Sequence, residues 1–210
     1  MTHYAQLWLF FVLVLGVVVL PGLDMACVLG NTLTGGRRAG FAALAGVVAG
    51  GICHVVLTGL GIGVLLRVVP AAFNALLLAG ALYIAWIGLS LLRSEHAFSV
   101  EAAVARRPWA IFRQGMLTCL LNPKAYLFML AVFPQFLRPE YGTLAVQAVV
   151  LWIIIAFNQV CVYGGLALAA NRARRWIAHR PAAGGVVTRA VGMLLIGAAL
   201  LTGLEGWRGI

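Results

Sequence analysis

Leu20-Pro21-Gly22-Leu23-Asp24 interrupts the first long apolar run of this chain, and Leu121-Asn122-Pro123-Lys124 interrupts another about one hundred residues later. Proline has no backbone N–H and kinks or breaks a helix. In a bilayer, the carbonyl groups that it frees must find a donor in protein, water or a solute. A matched pair of Pro/Gly-interrupted apolar segments indicates a binding site enclosed between two halves of a membrane domain.

The composition places the chain in a membrane. Of 210 residues, 63% are hydrophobic and only 10% are charged, whereas a soluble domain carries about 25% charged residues. The net charge of +10 comes from cations in short loops between apolar runs, which favours membrane orientation over nucleic-acid binding. The four cysteines form neither a CxxC pair nor a Cys/His cluster, so we expect no disulfide framework, metal site or cofactor.

Six apolar segments are each long enough to supply the ~20 residues that a membrane helix requires. They cover residues 4–29, 39–66, 70–92, 115–137, 143–170 and 182–204. One longer polar connection divides them into three and three. The sequence therefore predicts a single all-α integral membrane domain over residues 1–210, with a first repeat at 1–92, a cytoplasmic linker at 93–113 and a second repeat at 114–210.

The basic residues predict the orientation. Eleven arginines lie in or beside the connections after the first, third and fifth segments, against three in the remaining polar regions. Because cytoplasmic loops carry the excess of Lys and Arg, both termini are predicted to be periplasmic. If one of the six segments did not cross the membrane, the arginines would no longer divide eleven to three between its two sides.

Two halves of three segments must enter the membrane in opposite directions, because three is odd. A proline break occurs in the first segment of each half. Each half also has polar residues in its second segment, namely His54 in one and Asn158 and Gln159 in the other. This pattern predicts six transmembrane helices as an inverted 3+3 repeat with broken helices 1 and 4, and a site where the halves meet.

Apart from Arg189, which lies near the start of the last segment and is counted with the connection before it, Asp24 and Lys124 are the only charged residues inside the predicted segments. A charge at the bilayer centre costs about 2.5–3.5 kcal/mol on insertion scales, so it usually faces a cavity or a partner. Two interpretations are open. The two residues pair with each other and lock the halves together, or they bind opposite ends of a zwitterion. In the second case Asp24 can also carry a coupling proton.

The depth of Asp24 depends on the break. A continuous helix from Tyr4 would place Asp24 about 30 Å along its axis, near the cytoplasmic surface. Continued to Arg37, the helix would reach about 50 Å, longer than the hydrocarbon core of about 30 Å. Part of this region must therefore be unwound, tilted or outside the membrane.

Asn122 precedes Pro123 and is predicted to cap a half-helix, since Asn favours helix N-termini. The N-terminus of that half-helix would present amide donors and partial positive charge to an anion. Lys124 lies in the same first turn and would add to the attraction for a carboxylate.

The other polar residues each have two interpretations. His54 can relay protons or serve as a hydrogen-bonded packing residue. Asn158 and Gln159 are adjacent, so at most one of them points squarely at a given interior face. Each can contact a substrate or join two helices through its amide.

Several motifs resemble those of a known family. The blocks Pro21-Gly22-Leu23-Asp24, residues 30–40 (GNTLTGGRRAG), residues 112–115 (FRQG), residues 120–124 (LLNPK) and residues 133–136 (FPQF) resemble the signatures of the LysE/RhtB family of bacterial amino-acid exporters. The resemblance covers nearly the whole chain. The family usually has a second proline where this chain has Leu23, a departure that concerns the geometry at Asp24 and the choice of substrate.

The resemblance implies a bacterial inner-membrane exporter of amino acids or closely related metabolites, driven by the proton gradient, and not an enzyme. In that interpretation Asp24 attracts the substrate amine or a proton, and Lys124 and Asn122 attract the carboxylate. The kinks at Pro21-Gly22 and Pro123 act as hinges. The partners would be an amino acid and lipid, with no nucleic acid, and the glycine-rich faces permit a homodimer.

Two rival functions are considered. A membrane-embedded enzyme would need more acidic residues, histidines or metal ligands near the surface, and the sequence has no HExxH motif. The cation site of an inorganic-ion exporter would favour several carboxylates or carbonyls. The predicted segments supply only one carboxylate, that of Asp24, which supports this function weakly.

Overall fold

The computed structural model describes residues 2–59 and 107–178, with single positions between 75 and 93 and between 189 and 204. Its continuous elements are helices α1 (His3–Val19), α2 (Leu23–Gly59), α3 (Pro108–Leu120), α4 (Pro123–Ala131) and α5 (Leu144–Ala178), with 3-10 turns at Phe133–Phe136 and Pro139–Tyr141. The described positions at 75–92 and 189–204 are also helical. Apart from them, the predicted third and sixth segments and most of the linker lie outside the described residues.

The first predicted break is confirmed. α1 ends at Val19 and α2 begins at Leu23. Leu20 has φ −61° and ψ 127°, the extended conformation that proline imposes on the residue before it. A second interruption lies inside α2 at Gly36, with φ 74° and ψ −172°. Positive φ favours glycine, and the kink at this residue divides α2 into two arms.

The second predicted break is confirmed as well. α3 ends at Leu120 and α4 begins at Pro123, and the two directions differ by 51°. The Asn122 side-chain oxygen accepts a hydrogen bond from the Lys124 backbone N–H at 3.1 Å. Asn122 is therefore the N-cap of α4, as the sequence predicts.

The helices are suited to a membrane. By length and composition, the described residues contain two helices able to cross, Leu23–Gly59 and Leu144–Arg174, and a third if the bent pair Pro108–Leu120 and Pro123–Phe136 counts as one span. α1 is a shorter apolar helix. The 37 residues of α2 would reach about 55 Å, so its kink is needed in a core of about 30 Å. The all-helical membrane class is confirmed, and the complete six-helix inverted repeat stays a prediction.

Glycines bring α2 and α3 into close contact. A Cβ atom at Gly46 would collide with the Phe112 carbonyl, and one at Gly115 would collide with the Ala43 carbonyl. Small residues let membrane helices approach backbone to backbone. The second arm of α2 and helix α3 are therefore held as one unit.

This contact makes a prediction. Gly115→Ala should lower the free energy of unfolding by about 1–3 kcal/mol, because the added methyl group meets backbone that cannot move aside. Gly165→Ala is the matched control in α5, where a Cβ has open space, and it should be neutral or stabilising by up to about 1 kcal/mol. Thermal unfolding in detergent, followed by tryptophan fluorescence, measures both. Equal melting temperatures would contradict the close contact.

Helix α5 contacts other elements near both of its ends, and these contacts define the middle level of the molecule. Near its start, Gln147 binds the backbone of the turn at Arg138. Near its end, the Asn171 side chain accepts a hydrogen bond from the Arg37 N–H at the α2 kink. Gln159 lies midway, about 18 Å along the axis from Gln147. The middle of the molecule is therefore the level of Gln159.

Candidate functional site

A cavity lies at that middle level, where the two broken helices meet. Its polar lining consists of Asp24, His54, Asn122, Lys124, Gln159 and Tyr163, and side chains such as Val14 and Phe128 supply an apolar wall. The space for water centres is about 60 Å³, and one water needs about 10–15 Å³. It holds a few waters, so a larger solute requires the lining to move. Asp24 is thus at middle depth, because the break at Pro21 ends the helix that would have carried it further.

Lys124 binds the broken end of α1. Its ammonium group donates to the Val17 carbonyl at 3.0 Å and to the Leu20 carbonyl at 2.9 Å. In a continuous helix the Val17 carbonyl would accept the N–H of residue 21, which is absent in Pro21. A cation at a helix C-terminus is also favoured by the helix dipole. Lys124 therefore satisfies the carbonyls that the first break exposes.

His54 makes the corresponding contact with the second break. Its Nε2 lies 3.0 Å from the Cys119 carbonyl, the oxygen that would have accepted the missing N–H of Pro123. A carbonyl only accepts, so Nε2 carries the hydrogen and donates it. The ring also packs edge-on against Tyr126, with centroids 4.5 Å apart.

The two contacts are reciprocal. Lys124, from the second predicted repeat, donates to the Val17 carbonyl that Pro21 leaves without its helical partner. His54, from the first, donates to the Cys119 carbonyl, which also accepts the Asn122 N–H at 3.0 Å. Unsatisfied backbone groups are costly away from water. Each broken helix is therefore stabilised by a side chain from the opposite half, and the two breaks are held at the same cavity.

Asp24 and Asn122 have unused hydrogen-bonding capacity beside that cavity. Asp24 is 4% exposed and Asn122 is 1% exposed, and the Asn122 amide is a neighbour of the Asp24 carboxyl group. Within the described residues, however, Asp24 Oδ1 and Asn122 Nδ2 are buried without a hydrogen-bond partner. Leaving such groups unmet costs about 1–3 kcal/mol each. This acceptor and this donor thus lie beside each other without a hydrogen bond of good geometry, and a ligand between them can bind both.

Asp24 and Lys124 do not form a contact ion pair. Within the part of the chain that the structure describes, the only nitrogen–oxygen ion pair within 4.0 Å is Arg138–Glu140. Lys124 still lies close enough for a Coulomb attraction to Asp24. The ammonium therefore offsets the carboxylate charge without occupying its oxygens, and the simple locking pair is not the geometry of this conformation.

The adjacent amides on α5 separate as expected. Gln159 lines the cavity. Asn158 is buried but is not part of the lining, and its amide donates to the Ile154 carbonyl of the same helix at 2.9 Å. Sequence reasoning missed Tyr163, which lines the cavity one turn after Gln159 and is 1% exposed. Their i, i+4 spacing was the signal that would have found it.

His54 gives a test of anchoring against proton relay. For the proton-driven exporter that the family resemblance implies, His54→Gln should keep both stability and transport near the wild-type level, because the Gln Nε2 can replace the donor to Cys119. His54→Ala should lower the free energy of unfolding by about 1–3 kcal/mol through the lost hydrogen bond and packing. Melting temperature and transport in liposomes measure both effects. A stable His54→Gln protein without gradient-driven transport would assign the proton relay to the imidazole ring.

The arrangement is suited to a small solute with two polar ends. Asp24 accepts from a cationic or protonated group, while Asn122 and Lys124 offer side-chain donors to an oxygen and the N-terminus of α4 adds positive potential. Among the described residues, no three His, Cys, Asp or Glu side chains are grouped to hold a metal ion. An all-helical membrane protein with a polar cavity between two broken helices has the architecture of a secondary transporter.

Comparison with known proteins agrees with this class. The model of the LysE type translocator family matches residues 15–206, and the chain belongs to that family. It is 32% identical over 158 residues to the homoserine/homoserine lactone efflux protein of Salmonella typhimurium, covering 75% of this chain and 76% of the relative. An uncharacterized membrane protein of Pseudomonas aeruginosa is 29% identical over 199 residues, covering 90% and 91%. No solved structure matches the chain.

These findings confirm the family resemblance drawn from the two motif regions. They also support a membrane exporter of small metabolites, since the family model is that of a translocator and the Salmonella relative is an efflux protein. The roles of individual residues, proton coupling and the orientation of the termini stay predictions.

Proposed function

We propose that this protein exports an amino acid or a closely related small metabolite across the bacterial inner membrane in exchange for protons. The observation that carries the proposal is the buried Asp24 oxygen, without a hydrogen bond of good geometry, in the cavity between the two breaks. The names of the Salmonella relatives point to homoserine and its lactone as the first compounds to test.

Asp24 receives the substrate ammonium group in this proposal. Asn122 Nδ2 donates to the substrate carbonyl or carboxylate oxygen, and Lys124 adds positive potential at that end. An amino acid and its lactone share an ammonium group and an adjacent carbonyl, so the same two contacts serve both compounds. The small cavity and its Val14 wall favour a short side chain.

Proton coupling is assigned to the same carboxylate. Asp24 can hold a proton or bind the substrate ammonium as a carboxylate, but it cannot do both at once. Competition of two ligands for one group links their free energies reciprocally. A single acid is therefore sufficient for exchange, while His54 holds the second break in place.

The breaks provide the movement. Alternating access in inverted-repeat transporters arises from the motion of one repeat against the other around a fixed site. Pro21, Gly22 and Pro123 supply the hinges, and the Lys124 contact with α1 crosses between the halves. A Cβ at Gly22 would lie 3.0 Å from the Lys124 ammonium, so the absence of a side chain there makes room for this contact.

The topology completes the proposal. The arginine-rich end, which contains the α2 kink, faces the cytoplasm, and both termini are periplasmic. The proposal leaves open a homodimer formed through exposed glycine-bearing helix faces, and it requires no cofactor.

Counterflow in proteoliposomes tests the substrate. Vesicles preloaded with unlabelled L-homoserine should accumulate labelled L-homoserine and exchange it with homoserine lactone, and an imposed pH gradient should drive net movement. L-lysine and L-glutamate serve as charged controls and should exchange poorly, because the cavity offers no described partner for a charged substrate side chain. Absence of exchange with every amino acid, together with stabilisation by metal salts in a thermal-shift assay, would replace this function by cation export.

A further inference from the structure

A second cavity lies at the end of the molecule opposite the α2 kink. It is lined by Gln6 and Leu9 of α1 and by Gln135, Phe136, Arg138, Glu140 and Tyr141 of the turns after α4. Its volume of about 390 Å³ exceeds the 60 Å³ of the central cavity. The second cavity therefore has more room for a solute than the central cavity.

Buried amides hold the frame of this cavity. The Gln147 side chain accepts from the Arg138 N–H at 2.9 Å and donates to the carbonyls of Arg138 and Gly142 at 2.8 and 2.9 Å. The Gln6 side chain donates to the Phe136 carbonyl at 2.8 Å. Gln147 and Gln6 are 7% and 6% exposed. The backbone of the turns is thus fixed, while the Arg138 and Glu140 side chains are free to project into the cavity.

The charges in the cavity are complementary to a zwitterion. Arg138 Nη1 lies 3.5 Å from Glu140 Oε1, and the side chains are 55% and 62% exposed. An exposed pair at this distance contributes little to stability, so it can open for a ligand at small cost. The ammonium and carboxylate of an α-amino acid are attached to one carbon, which matches a guanidinium and a carboxylate this close together.

The position connects the cavity to the transport path. Gln6 precedes Val14, a central-cavity residue, by eight positions on α1, or about 12 Å along the axis. On the other side, Phe136 and Met129 lie on the same run of chain from α4 into the 3-10 turn. Both cavities therefore lie along the seam between α1 and α4.

We propose that this outer cavity is a second binding site for the transported amino acid, in which Arg138 binds its carboxylate and Glu140 its ammonium group. The inference rests on the proposed function, since it takes the exported zwitterion as the ligand. The site would hold the substrate between the central cavity and the surface.

Equilibrium dialysis of labelled L-homoserine against the purified full-length protein tests the proposal. The wild-type protein should bind two molecules, and Asp24→Asn should bind one. Arg138→Gln/Glu140→Gln should also bind one, and the triple variant none. In liposomes, Arg138→Gln should raise KM about tenfold with kcat unchanged, the loss expected for one charge-assisted hydrogen bond.

Arg172→Gln is the matched control, because Arg172 is an exposed arginine at the end of α5 that lies far from this cavity. It should leave the number of bound molecules and the KM unchanged. Melting temperature checks that the variants are folded. One bound molecule in the wild type, unaffected by the Arg138 and Glu140 changes, would overturn the second site and leave the proposed function intact. No binding and no transport in the wild type would overturn both.

Discussion

Asp24→Asn is expected to reduce transport by at least about 100-fold, which corresponds to about 2.7 kcal/mol. The substitution preserves the shape of the side chain but removes the carboxylate that we assign to the substrate ammonium. A hydrogen bond to a charged group contributes about 1.5–3 kcal/mol. The Asp24→Asn substitution also removes the acidic group assigned to proton exchange. An imposed pH gradient should therefore no longer drive movement of the substrate. Initial rates of L-homoserine counterflow and gradient-driven flux measure the two effects.

The control for this prediction is a buried polar residue outside the cavity. Asn158→Ala changes an amide that bonds only within α5 in the described structure, and transport should stay within about threefold of wild type. Both variants should insert normally, as judged by membrane yield and melting temperature. Full transport by Asp24→Asn would remove this residue from the mechanism.

Lys124→Met is expected to lower both stability and transport. The variant leaves the Val17 and Leu20 carbonyls without the donor that they have here. The Val17 contact is partly buried and the Leu20 contact is exposed, so the free energy of unfolding should fall by about 1–3 kcal/mol, the cost of one unmet buried group. The end of α1 should also become mobile, which would misplace the cavity wall. Thermal unfolding and amide hydrogen exchange of residues 14–20 measure these effects.

The double variant distinguishes this role from an ion-pair lock. If Lys124 serves mainly to neutralise Asp24, then Asp24→Asn/Lys124→Met should regain the stability lost in Lys124→Met. If it serves mainly to satisfy α1 carbonyls, the double variant should stay destabilised. The geometry favours the second outcome. Arg172→Met is the control: it also removes one positive charge, but from an exposed position, and it should not change stability. Recovery of the wild-type melting temperature in the double variant would contradict the carbonyl-binding role.

The backbone breaks were predictable because their causes are local. Pro21 and Pro123 remove N–H groups whatever surrounds them, and Asn122 is a strong N-cap because its side chain reaches the next turn. The close glycine contacts of α2 also follow a local pattern, since Gly46 and Gly50 are four residues apart and share one helix face. These features depend on a few neighbouring residues, so one sequence is sufficient to find them.

The reciprocal contacts were not predictable, because they depend on the relative rotation of distant helices. Nothing local shows that Lys124 binds carbonyls more than one hundred residues away, or that His54 binds Cys119. Choosing Gln159 over Asn158 for the cavity also requires the rotation of α5. The depth of Asp24 was underdetermined for a related reason, since the path of the chain after Pro21 decides it.

A structure of the protein with bound L-homoserine tests the shared cavity most directly. The ligand should lie between the two breaks, with its ammonium nitrogen about 3 Å from Asp24 Oδ1 and an oxygen within hydrogen-bonding distance of Asn122 Nδ2. A ligand bound elsewhere, with Asp24 contacting only protein or the two breaks facing lipid apart from each other, would contradict it.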